Sequence, residues 1–353
     1  MPRHWFATIL TIPTMLTFTL ALVVAPRAAD ARRPAFVPPV DDVLDGHARL
    51  GAPITYGNLT LVPILATGDT KGSGPDYLTL DEAFDAGLVR VREQSDESVD
   101  QLTLENRSNR PLFVLSGEVI LGGKQDRIIG KDRIIPAKKT LAVDVFCVEH
   151  GRWSEDAKDR RAFRSAKVLA HTSLRWKAAY DTQSDVWAEV ADKNEKRSTQ
   201  NDTDTYRAVT ADKQVAQRVR AYADHFGPAL AKLVGHERLV GFVVVMNGAL
   251  VGVDQFGSPR LFARLRDKLL RSYYTEAMDL PAPADPAALA RVPSAREVRD
   301  FVAAPAAAAD EVVVDDARAT TRQKKAGGVA ATEVDDASAP AASAPVYRST
   351  AAH

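Results

Sequence analysis

The stretch Leu112–Trp153, LFVLSGEVILGGKQDRIIGKDRIIPAKKTLAVDVFCVEHGRW, decides how the first half of this chain folds. Apolar runs rich in Val, Ile and Leu are cut by GG, GKD and PAKK, the pattern of strands joined by tight turns. LAVDVFCVE alternates, which sets Leu141, Val143, Val145, Cys147 and Glu149 on one face of a strand. By the same period Glu118 shares a face with Leu112, Val114, Ser116 and Ile120. A carboxylate in an apolar strand costs free energy unless it is paired or used. Glu118 and Glu149, with Gln125, Arg127, Arg152 and Trp153 near them in sequence, therefore mark a candidate site.

Upstream, ITYGNLTLVPIL reads as a strand broken at Pro63, and LDEAFDAG as a short helix capped by Asp81 and ended by Gly87. LVRVRE and VDQLTLEN are further strands. Downstream the period changes. TQSDVWAEVADKNEK is helical, with Thr182 or Ser184 as cap. Val215, Val219, Tyr222 and Phe226 form the stripe of an amphipathic helix interrupted at Gly227-Pro228. Asn247-Gly248 between two apolar runs is a two-residue hairpin signal. Ser258 caps a last helix with Pro259 at its first position and Leu261, Leu265, Leu269 and Tyr273 along its apolar face.

These elements predict one α+β domain over residues 48–280, mainly antiparallel sheet or sandwich first, with several helices in the second half. Residues 281–353 are dominated by Ala, Pro, Asp and Ser. Their small apolar area predicts a disordered tail holding one short helix, SAREVRDFV.

At the other end, MPRHW precedes the uncharged run FATILTIPTMLTFTLALVV and the small-residue site AADA. That layout predicts a signal peptide over residues 1–31, followed by a lead-in over 32–47. The expected product is periplasmic or secreted, with no stable membrane insertion after cleavage. Lys+Arg and Asp+Glu both number 46 in 353 residues, so no overall charge attracts nucleic acid. The single cysteine, Cys147, cannot form an intrachain disulfide and reads as a small buried thiol. Histidines lack ligand spacing, TGDTKGSG lacks the order of a phosphate loop, and no G-x-S-x-G elbow occurs. Neither a metal nor a cofactor is expected.

The succession NLTLVPI, YLTLDEAFDAGLVRVRE, LENRSNRPLFVLSGEVILGGKQDRI, FCVEHGRW, QSDVW, GFVVVMNG and FGSPRLF resembles the ADP-ribosylglycohydrolase and rhodanese-phosphatase-associated domain family. The core of the resemblance is GExxxGxxQxR followed by CVExGRW. It covers Gly117, Glu118, Gly122, Gln125, Arg127, Cys147, Glu149, Gly151, Arg152 and Trp153, with Gln183 and Trp187 further on. The resemblance implies a link to NAD-derived and ADP-ribose metabolism.

Three readings follow from these residues. In the first, Gln125, Arg127 and Arg152 hold a small anionic ligand, Gly122 and Gly123 offer backbone amides to it, and Trp153 stacks on it. In the second, Glu118 and Glu149 form the acid/base pair of a hydrolase. In the third, Glu118 closes a structural ion pair with Arg127 or Arg152, and the chain is an interaction module of the cell envelope. The first is the main expectation, with a nucleotide or ADP-ribose-like molecule as the ligand.

Overall fold

The computed structural model describes residues 43–67, 75–94, 100–151, 161–234, 238–308, 311–316, 318–339 and 344–352. The expected signal peptide lies outside them, as do Arg152 and Trp153. The chain opens with β1 (Val43–Asp45), β2 (Ala48–Leu50), β3 (Ile54–Tyr56), β4 (Leu59–Ala66), β5 (Leu78–Thr79) and α1 (Leu80–Asp85). Next come β6 (Val89–Glu93), β7 (Gln101–Asn106), β8 (Leu112–Val114), β9 (Glu118–Gly123) and β10 (Arg127–Ile129). β11 (Arg133–Ile135), β12 (Thr140–Cys147) and β13 (Arg161–Leu169) complete the strand-rich half. Helices α2 (Thr172–Tyr180), α3 (Gln183–Lys196), α4 (Tyr206–Ala211) and α5 (Lys213–Val234) follow. The hairpin β14 (Leu239–Met246) and β15 (Ala249–Phe256) leads to α6 (Pro259–Ala277) and α7 (Ala295–Ala303). The last strands are β16 (Glu311–Asp315), β17 (Ala319–Ala326), β18 (Val329–Asp336) and β19 (Tyr347–Ala352).

Among the described residues the strands form three sheets. A ten-stranded sheet runs β1-β2-β4-β14-β15-β19-β18-β17-β16, with β3 also on β4. A six-stranded sheet runs β13-β9-β10-β12-β7-β6, and a small one runs β11-β8-β5. The α+β class holds, with antiparallel pairing throughout except β5 on β8. In the six-stranded sheet, Ile120, Ile129, Val143 and Val145 pack with Leu80 and Ala83 of α1. Its other face, with Val119 and Ile128, packs against Leu174, Val186, Val190 and Val209 of α2, α3 and α4. In the large sheet, Leu59, Leu61, Phe242 and Val244 pack under α5 and α6, where each buried Leu contributes about 1.5–3 kcal/mol.

Local signals explain several elements. Asn247 and Gly248 both have positive φ, 51° and 76°, as the turn between β14 and β15 requires. Ser258 accepts from the Leu261 amide at the start of α6, with Pro259 in its first turn. Three expectations need correction. Thr79, not Asp81, caps α1, through a capping box with Glu82. Pro63 does not break its strand: β4 runs through it. Its carbonyl accepts from Gly51, so its absent N–H would point the same way, into the gap between the ends of β2 and β3. Likewise α5 continues through Pro228, held by the apolar face that includes Val215, Val219 and Phe226.

The largest correction concerns residues 281–353. Much of this segment is ordered: β17 and β18 pair along their whole length, and β19 inserts between β18 and β15. Burial alternates along β18 as in any half-covered strand. Apolar area was the wrong measure for it. Beside Val334 and Tyr347, many inward residues are small or polar, such as Thr321, Thr332 and Ser349, and are stabilised by ladder pairing and side-chain hydrogen bonds.

Candidate functional site

Glu118 begins β9 after a turn in which Gly117 takes φ +91°. A Cβ on Gly117 would lie 2.3 Å from Cγ of Arg175, so only glycine lets these elements approach. The Glu118 side chain is 1% exposed, and its Oε2 accepts from the Leu115 amide at 3.0 Å. Its Oε1 accepts from Nζ of Lys268 on α6 at 2.6 Å. Lys268 also meets Asp81 at 2.7 Å, and Asp81 accepts from the Ser165 hydroxyl. Burial pushes the Glu118 carboxyl up, and the Lys268 cation offsets part of this. Against the opposing effect of burial, the two carboxylates hold the Lys268 ammonium above its ordinary range. Glu118 thus closes an ion pair, with Lys268 rather than Arg127 as the partner seen.

The GGKQDR turn is knitted internally. Gly122 and Gly123 have φ +111° and +61°, and a Cβ on Gly123 would meet Glu93 and Phe163 at 2.5 Å. The Gly122 amide donates to Oδ1 of Asp126 and the Lys124 amide to Oε1 of Glu93, both at 2.9 Å. Amides that a nest would offer an anion are therefore given to the protein's own carboxylates. Gln125 donates to the Glu149 carbonyl at 2.9 Å, and the Asp126 amide to Oε2 of Glu149 at 3.3 Å. Thr203 donates to Oε1 of Glu149 at 3.3 Å. Arg127 is fully buried, opposite Ile120 on β9 and Cys147 on β12. The register makes Arg127 a diagonal neighbour of Glu118 on one sheet face. Glu118 lies at the Ile129 end of β10 and Glu149 beside Asp126 at the other end. Cys147 is 2% exposed, and burial pushes its thiol up, the opposite of what a nucleophile needs.

Outside this knot lies a cavity of about 570 Å³. Gly122 and Asp126 line it from the turn, Leu121 from β9, Phe163 and Arg164 from β13, and Arg207 from α4. Arg164 pairs across from Leu121, and Arg207 sits in the first turn of α4. Both arginines are exposed, and neither guanidinium has an ion-pair or hydrogen-bond partner among the described residues.

Two buried polar clusters escaped the sequence reading. Arg175 of α2, 3% exposed, faces Asp254 of β15 at 3.3 Å and donates to the Tyr347 hydroxyl at 3.0 Å. Tyr273 and Tyr347 both donate to the Asp254 carboxylate. Asp132 nearby accepts from the Ser116 amide at 2.7 Å, and burial pushes its carboxyl up to about 6. The signal was available: Asp254 sits in the apolar strand ALVGVDQF as Glu118 does in its own. The second cluster joins Lys193 to Glu276 at 3.1 Å, with His171, Ser173 and Glu189 beside it. Ser173 donates to Glu189 and Glu276, while the His171 nitrogens meet Tyr206 and Glu189, so no histidine activates this serine. Among the described residues no three His, Cys, Asp or Glu side chains are grouped to hold a metal.

Fold and site together define a mixed α/β domain whose motif carboxylates are closed into its core. The chain belongs to the ARG and Rhodanese-Phosphatase-superfamily-associated Protein domain family, which it matches over residues 47–338. The match runs past Leu280 through β17 and β18, in keeping with their place in the large sheet. No curated protein and no solved structure matches the chain.

Proposed function

We propose that this domain binds a small anionic ligand, of the nucleotide or ADP-ribose class, in the cavity between β13 and α4. The observation that carries the reading is a pair of guanidiniums, Arg164 and Arg207, that line one cavity and have no partner among the described residues. Each presents a planar donor fork suited to phosphate, and together they suit a diphosphate. Phe163 adds an aromatic ring to the lining, and Gly122 lets the turn backbone approach closely. Glu118, Gln125, Arg127 and Glu149 then shape the wall from behind and need not touch the ligand. The ADP-ribose part rests on the family resemblance read in the sequence. A hydrolytic role for Glu118 and Glu149 has less support, because Glu118 is sealed against Lys268. The leader-like residues 1–31 support an exported domain, for which N-terminal sequencing of the envelope fraction should start near Arg32.

Thermal denaturation with ADP-ribose, ADP or inorganic pyrophosphate tests the binding. A ligand at one hundred times its Kd stabilises the fold by about 2.7 kcal/mol. Arg164→Ala and Arg207→Ala should each remove most of that gain, while Arg164→Lys should keep part of it. No shift with any of the three ligands, or a shift that survives in the double alanine variant, overturns the proposal.

A further inference from the structure

The geometry points to a second binding site, between α5 and α6, for a single acyl chain bearing a carboxylate head. A groove of about 590 Å³ runs between the two helices, remote in sequence from the GGKQDR turn. Its α5 side is lined by Val219, Ala223, Gly227 and Leu230, spaced at helical intervals. Small residues at Ala223 and Gly227 leave that side low: a Cβ built on Gly227 meets nothing within 4 Å. From α6, Leu270 continues the apolar lining.

The polar groups gather on the α6 side. Tyr274 is 4% exposed, its ring stacked on Tyr222 and Phe226 at 5.6 and 5.5 Å. Its hydroxyl has no hydrogen-bond partner among the described residues and is not sealed from solvent, so it is open to a ligand. Arg266 and Asp267 line the same groove as Tyr274. Arg271 lines it too, half-buried and without an ion-pair or hydrogen-bond partner among the described residues. Arg266 is engaged by Asp267 at 2.9 Å, which leaves Arg271 as the available cation. An aliphatic trough beside one available guanidinium and one accessible phenol complements a long-chain carboxylate: the chain covers the trough, Arg271 takes the head, and Tyr274 donates to it. A diphosphate would leave the aliphatic wall uncovered, which separates this site from the Arg164–Arg207 cavity.

The test is isothermal titration of the full chain with dodecanoate below its micellar concentration, with dodecanol as the uncharged probe. Dodecanoate should bind with one-to-one stoichiometry. Arg271→Ala should weaken it at least tenfold, Tyr274→Phe several-fold, and dodecanol should bind at least tenfold less tightly than dodecanoate. Gly227→Leu, whose side chain enters open space, should abolish binding while thermal denaturation shows the fold intact. Absence of dodecanoate binding overturns the proposal, as does binding untouched by Gly227→Leu or equal affinity for dodecanol. Binding only to anionic vesicles, with none to monomeric dodecanoate, would assign the groove to a membrane surface and overturn it as well.

Discussion

The hydroxyl of Tyr347, near the end of the chain, donates to the carboxylate of Asp254, a residue 93 positions earlier in the neighbouring strand. Arg175 and Tyr273 meet the same carboxylate, so one buried charge ties α2, α6, β15 and β19 together. Desolvating Asp254 and Arg175 is tolerable only while every donor stays in place.

The C-terminal strands should therefore be needed for stability. Truncation after Leu280 removes β16 to β19, leaves the edge of β15 open and strips Asp254 of Tyr347. The shortened protein should lose its cooperative transition or melt at least ~10 °C lower. Tyr347→Phe alone should cost about 1–3 kcal/mol in urea unfolding. An unchanged melting temperature for the truncated chain would show that the strands contribute nothing.

Glu118 and Lys268 should behave as a closed pair. Lys268→Ala leaves Glu118 as an uncompensated buried charge beside Asp81, at a cost of about 3–5 kcal/mol. Glu118→Leu combined with Lys268→Met should recover much of that loss, because the site then holds no charge to desolvate. If Lys268→Ala is neutral in chemical denaturation, the pair is not structural.

Asp132 supplies a pH dependence whose sign follows from its environment. Its folded carboxyl is raised to about 6 from the ordinary 3.8. The stability tied to its protonated form is complete below about pH 4 and is lost as pH rises through 6. At about 1.36 kcal/mol per pKa unit the loss is on the order of 3 kcal/mol. Asp132→Asn keeps an acceptor for Ser116 and cannot ionise. The stability of the variant relative to wild type should thus climb between pH 4 and 6 and level off above. A flat difference across that range would contradict the assignment.

Much of the architecture was legible along the chain, for a physical reason. Period-2 and helical spacing record which face of an element is buried, and Asn247-Gly248, Ser258-Pro259 and Thr182 mark turns and caps that act over a few residues. The apolar strand around Glu118 also announced a buried charge in need of a partner. The partner itself was not legible, because Lys268 lies 150 residues away and nothing local links the two. Pro63 and Pro228 read as breaks, since local rules do not contain the strand gap or the packed helix face that accommodates them. The last strands were misread for a related reason. Thr, Ser and Ala bury little apolar area, and their stabilisation comes from pairing with β15 and from groups such as Asp132 and Tyr180, which only the tertiary structure brings alongside. Taken alone, the chain determined its elements, their buried faces and the need for charge partners; long-range packing decided which partners those are, and left Arg164, Arg207 and Arg271 lining open cavities.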